Sequence, residues 1–230
     1  MKRLLNITIL TMLISCSGIV PRNAQLQARG DARFEILGML NEYMGRNIEG
    51  DYIEGFFPDE RSTADYFERL LRKCAVEEGL ERRWIRNTGY QGHVTFTGAE
   101  IARFINKHYR TKESSFVSID PRVLRTASTD QKLRYIAGAY RRYGDGTGSR
   151  RAIFSEPNAC KRMTLLADVL RSVGCGNVTL YSNAGSGYIP TSYILVFSPT
   201  DEVRKRTGIQ RELSDKELNV LIHQAELQPV

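Results

Sequence analysis

The chain has 230 residues, 41% of them hydrophobic and 26% charged, with a formal net charge of +7 at pH 7. That apolar fraction excludes a disordered chain, and the length allows one sizeable domain or two small ones. Beyond the N-terminal segment no stretch reaches the roughly 20 apolar residues of a membrane-spanning helix, which excludes a polytopic membrane protein.

In chain order, the first segment is MKRLLNITILTMLISCSG. Lys2 and Arg3 form a basic start, and the apolar run Leu4 to Ile14 is interrupted by Asn6, Thr8 and Thr11. Such a run is about half the length needed to span a bilayer, so it has the form of a cleaved export signal. Leu13-Ile14-Ser15-Cys16 resembles the lipobox of bacterial lipoproteins, in which small residues precede a cysteine at the end of the apolar run. The resemblance implies a signal peptide over 1–15, diacylglycerol on the Cys16 sulfur and a further acyl chain, palmitate for example, on its new amino group. Several chains anchor stably, because each buried methylene contributes about 0.8 kcal/mol. Ser17 stands where lipoproteins retained in the inner membrane carry Asp, so the resemblance implies the outer membrane of a Gram-negative bacterium. Residues 16–30, with Pro21, form a tether to a secreted, membrane-held body.

Residues 31–230 are expected to make a single α+β domain of about six amphipathic helices packed on a small sheet with a late β-hairpin. A weak division is placed near 111–115. Apolar residues at helical spacing mark Asp31–Gly45, with Phe34, Leu37, Leu40 and Met44, and Ser62–Glu78, with Phe67, Leu70, Leu71 and Cys74. Thr97 with Glu100, Ser128 with Gln131 and Ser214 with Glu217 have the spacing of capping boxes opening three more helices. The sixth runs from Cys160 after Pro157. NVTLYS and YILVFSP are expected strands, the second buried on both faces, with shorter ones at Val94, Val117 and Ile153. No internal repeat is visible.

Candidate chemistry centres on the cysteines and histidines. His93, His108 and His223 are widely separated, without a partner at ligand spacing, so no metal site and no cofactor is expected. Gly144, Gly146 and Gly148 lack the spacing of a phosphate-binding loop. Cys160 at a helix start faces the positive end of the helix dipole, which favours a thiolate. The helix from Cys160 and the hairpin after it resemble the core of transglutaminase-like cysteine enzymes, over roughly Ser128 to Thr200. The resemblance implies Cys160 as nucleophile, but that family's histidine is missing: Ser192 and Tyr193 occupy its place, and His93 or His108 would have to serve as base. A Cys160–Cys175 disulfide is opposed by geometry, since fifteen helical steps of about 1.5 Å separate them by about 20 Å, against a limit near 7 Å. Cys74 is then the one partner available to either. Cys160 also shares a face with Met163, Ala167 and Leu170, as a small core residue would.

The basic residues lie in scattered clusters (ERRWIR, HYRTK, YRRYG, GSRRA, EVRKR) that suit a solvated surface or anionic headgroups, and with an exported address no nucleic-acid partner is expected. The sequence taken alone therefore points to a lipid-anchored envelope protein, a non-enzymatic binding module for a protein or glycan held to the membrane. The alternative is a transglutaminase-like cysteine hydrolase or acyltransferase.

Overall fold

The computed structural model describes residues 31–42, 46, 48–110, 117–144, 152–155, 160–183, 193–209, 214–224 and 227–230. It is an α+β protein, as expected, but its elements fall into two copies of one unit. The first runs α1 (Asp31–Met39), β1 (Tyr52–Phe56), α2 (Arg61–Glu78), β2 (Ile85–Thr88), β3 (Val94–Thr97) and α3 (Ala99–Asn106). A short antiparallel pair, β4 (Tyr109–Arg110) with β5 (Ser118–Ile119), and α4 (Pro121–Arg125) connect it to the second. That unit runs α5 (Thr129–Tyr143), β6 (Ala152–Ser155), α6 (Cys160–Ser172), β7 (Gly176–Asn183), β8 (Tyr193–Ser198) and α7 (Asp201–Thr207). The chain continues into α8 (Asp215–Gln224) and β9 (Leu227–Pro229).

The two sheets confirm the duplication. The first has strand order β1-β3-β2, and the second β6-β8-β7 with β9 added at the edge, all pairs antiparallel. In each unit the long second helix ends on a left-handed glycine, Gly79 at φ +68° and Gly174 at φ +86°, a conformation glycine adopts without a side-chain clash. The absence of a visible repeat in the sequence is thus corrected. What repeats is the order of helix and strand patterns, while the residues filling them differ.

The units join through α1 and α5, which cross at glycines. A Cβ on Gly38 would overlap the Tyr135 carbonyl oxygen, and one on Gly138 would overlap that of Glu35. Each glycine thus sits against the backbone three residues before the other, as an approximate twofold axis between the helices requires. Without side chains there, the two backbones touch, and Ile36, Leu37, Tyr135, Ile136 and Ala139 pack fully buried around the crossing.

Most sequence expectations for the elements hold. Ser128 accepts from the Gln131 amide while the Gln131 side chain accepts from the Ser128 amide, and Ser214 with Glu217 caps α8 in the same way. Thr97 does not cap α3. It is the last residue of β3, Gly98 takes the cap position, and Glu100 instead accepts from the Glu81 amide. Met44 and Gly45, expected at the end of the first helix, lie outside the described residues, and α1 stops at Met39. Strands β1 and β2 went unforeseen, because YIEGF and IRNT lack a clean alternation.

Candidate nucleic-acid interface

The described charges that are most deeply buried gather where α1 ends. Its last carbonyls, which a helix leaves without partners, receive guanidinium groups. Arg162 of α6 donates to the Gly38 and Leu40 carbonyls, and Arg142 of α5 donates to that of Met39 at 2.8 Å. Tyr143 Oη adds a bond to Leu40 at 3.2 Å. Arg142 also donates to the Gly55 carbonyl and Glu60, and approaches Glu54 at 3.4 Å. Glu54, 1% exposed on β1, accepts from Arg46 and from the Asn41 and Gly55 amides. Arg46 in turn donates to Asn106 at 2.9 Å and to the Ile53 carbonyl. Burial pushes the Glu42 carboxyl upward against the pull of Arg162 and Arg46. It stands by the Ile119 amide and the Tyr109 hydroxyl, although neither of its oxygens reaches good hydrogen-bond geometry. This cluster sets three arginines against three carboxylates and is internally satisfied at Glu54 and Arg142, so its chemistry is to lock β1, α5 and α6 onto the end of α1.

The sheets offer the other polar surface. On the first, Val94, Phe96 and Phe56 point into the core with Arg86, which lies over the Phe96 ring and bonds Asp65 and Glu68 of α2. Cross-strand register places Asn87, Thr95 and Gly55 in one row on the opposite face, and Ile85, Thr97 and Tyr52 in the next. This face is open: Asn87 and Ile85 are exposed, and Thr95, Thr97 and Tyr52 are half-buried. It carries neutral hydrogen-bonding groups on a rigid, slightly bulged sheet.

The residues singled out from the sequence do not come together. Cys16 lies outside the described residues. Cys160 is the first residue of α6, with its side chain outside the description, and the matching helix of the first unit opens instead with Arg61. The helix and hairpin that suggested a transglutaminase-like core are therefore one copy of a repeated scaffold. His93 packs its ring edge-on against Phe57, and His108 does the same against Phe104, both in the first unit. Burial, with help from Arg33 and Lys107, lowers the His108 pKa to about 4. His223 lies on the exposed side of α8. Cys74 and Cys175 are buried free thiols, so Cys74 forms no disulfide with either Cys160 or Cys175.

No protein-family model matches the sequence, and no curated protein sequence matches it. Solved structures do. I-DmoI in complex with DNA and Ca matches with a TM-score of 0.53 at 11% identity, over 84% of this chain and 98% of that one. The chain shares its fold with a homing endonuclease. Mesophilic variants of that endonuclease match with a TM-score of 0.52 at 12% identity, over 78% of this chain and 94% of theirs. An I-DmoI variant with nicked target DNA and Mn gives 0.52 at 12% identity, over 85% and 95%.

These likenesses correct the functional expectations. The fold is found in endonucleases solved with DNA, so the lipid-anchored, palmitate-bearing outer-membrane module and the transglutaminase-like hydrolase are both set aside. The expectation of no nucleic-acid partner is corrected on the same ground, since structures sharing this fold were solved in complex with DNA. The neighbours' Ca and Mn raise the question of a metal here. Among the described residues no three His, Cys, Asp or Glu side chains come together to hold one, and Glu54 and Glu60 are taken up by arginines. The described residues at the end of α1 do not fit a divalent cation.

Proposed function

We propose that the protein binds duplex DNA, with the open face of the first sheet against the groove and the crossed helices α1 and α5 as its rigid frame. The observation that carries this reading is the match over most of both chains to an endonuclease solved with DNA. The net charge of +7 supports it, since cations that displace phosphate counterions supply sequence-independent affinity. So does the chemistry of the open face. Asn and Thr side chains on a β-ribbon can hydrogen-bond base edges in the major groove, where each base pair presents its own donor and acceptor pattern. Residues 31–230 act in this reading as one domain. Strand hydrolysis is not part of it, because among the described residues no three His, Cys, Asp or Glu side chains come together, and Glu42 at the end of α1 is buried beside Arg162 and Arg46.

The test is fluorescence anisotropy of a labelled random duplex titrated with the full chain at several salt concentrations. Binding is expected, with log affinity falling linearly against log salt, by a slope of about −0.9 for each phosphate neutralised. No binding at about 50 mM salt, where electrostatic affinity is strong, would remove the reading. A plasmid incubated with the protein and Mn is expected to stay supercoiled. Nicking would restore catalysis to the proposal.

A further inference from the structure

β7 (Gly176–Asn183) is the longest of the described strands, and its sequence GNVTLYSN carries no charge and no proline. Such a strand at a sheet edge is a template with which another strand can pair. β8 occupies one side of it and β9 part of the other. The Val230 amide donates to the Leu180 carbonyl at 3.0 Å, and the register sets Pro229 opposite Tyr181 and Gln228 opposite Ser182. Hydrogen-bonded and non-hydrogen-bonded pairs alternate in an antiparallel ladder, so Gln228 bonds Ser182 while Pro229 turns its nitrogen away from β7. That nitrogen has no hydrogen to give, at a position where a further strand would need a donor.

Short of β9 the same edge is closed by other means. Thr179 pairs with Val196 of β8, so the Val178 carbonyl faces away from β8, and Arg171 of α6 donates to it at 3.0 Å. Asn177, at φ +49°, sits in the register shift between Gly176 and Thr179, where the strand bends. Among the described side chains of α8, which precedes β9, none is buried, so the described part of α8 adds little to the hold of that ladder.

We infer that the β7 edge is a strand-acceptor site for a second copy of this chain, β7 pairing with β7, and that β9 with Pro229 closes it and keeps the chain monomeric. The edge itself selects this occupant. An uncharged eight-residue strand meets its own copy antiparallel about a twofold axis with no like charges opposed, and both copies gain a ladder. The proposed duplex binding needs neither the β7 edge nor β9, so the two proposals can fail separately.

The experiment is sedimentation velocity on the full chain, with substitutions that each change one backbone donor. Wild type is expected to sediment as a monomer. Gln228→Pro removes the amide that bonds Ser182, frees β9 and is expected to tighten self-association at least about tenfold, the scale of one or two backbone hydrogen bonds. A synthetic peptide with the sequence of residues 225–230, in excess, is expected to return that variant to the monomer. Gln228→Ala keeps the amide and alters only an exposed side chain, so it is expected to behave as wild type. Pro229→Val leaves β9 in place but restores an outward donor, and is expected to self-associate through β9; it decides the matter should Gln228→Pro fail to fold. A dimeric wild type, a Pro229→Val variant or a folded Gln228→Pro variant that stays monomeric, a dimer the peptide leaves intact, or equal association in Gln228→Ala would overturn the inference.

Discussion

Gly38 and Gly138 show how little room single positions leave. Alanine at either would push a methyl into the facing helix backbone, and the nearest relief is to separate α1 from α5 along their whole contact. Gly38→Ala and Gly138→Ala are each expected to destabilise by on the order of 3 kcal/mol, the upper range for overpacking. Gly176→Ala, whose new methyl would rest 3.6 Å from Ser198 Cβ, should shift a urea midpoint very little. His108 gives a pH-dependent counterpart. Its pKa of about 4 in the fold lies below the ordinary 6.5 because burial disfavours the charged ring. A depressed histidine stabilises the fold fully above its unfolded pKa, and the contribution is lost as pH falls from about 6.5 to about 4, since the unfolded chain takes up the proton first. The loss should be on the order of 2 kcal/mol, held below the full linkage value because the ring is only half-buried. Stability measured by urea at pH 7 and pH 4.5 should show it, and His108→Phe should flatten that part of the profile.

Among the elements, β8 carries the burial expected of YILVFSP. It lies between β6 and β7, and Ile194 to Phe197 are buried on both faces. Leu195→Asp places an unpaired carboxylate against the core and should cost several kcal/mol, enough that the variant is recovered unfolded or aggregated. Tyr193, half-buried at the strand start, should tolerate a charge better. A soluble Leu195→Asp variant with a wild-type melting transition would refute that account of β8. Helix α1 depends on other elements at its C-terminal end, where Arg142 and Arg162 supply the donors its last carbonyls lack. Both arginines come from the second unit, so a segment of the first is capped by side chains over a hundred positions away.

At the scale of the whole molecule, that capping and the glycine crossing make each unit incomplete alone. Residues 31–127 or 128–230 expressed separately would expose the apolar faces of α1 or α5 and leave the carbonyls of α1 or the buried guanidiniums of Arg142 and Arg162 unpaired. Neither half is expected to give a cooperative melting transition by circular dichroism, whereas the two mixed during refolding should recover one. A half that melts cooperatively by itself would show that the crossing is an interface between independent units.

By itself the sequence determined the local structure. Capping pairs at Ser128 and Ser214 and the helical spacing of Phe67, Leu70, Leu71 and Cys74 act within a turn or two, so their physical signal lies in neighbouring residues. The buried run of β8 was legible for the same reason. Only the tertiary structure decided how the elements combine. Gly38 and Gly138 are ordinary residues until two helices meet at them. Thr95 and Val196 hold outward positions on the central strands of the two sheets, and only the assembled sheets leave one half-buried and the other buried. The candidate site was illegible because it consists of rows across strands distant in sequence, including β2, whose residues Ile85 to Thr88 carry no clear periodicity. Local rules report which way a side chain points along its own strand, and the partner across the sheet, which decides what that side chain can touch, comes from long-range packing.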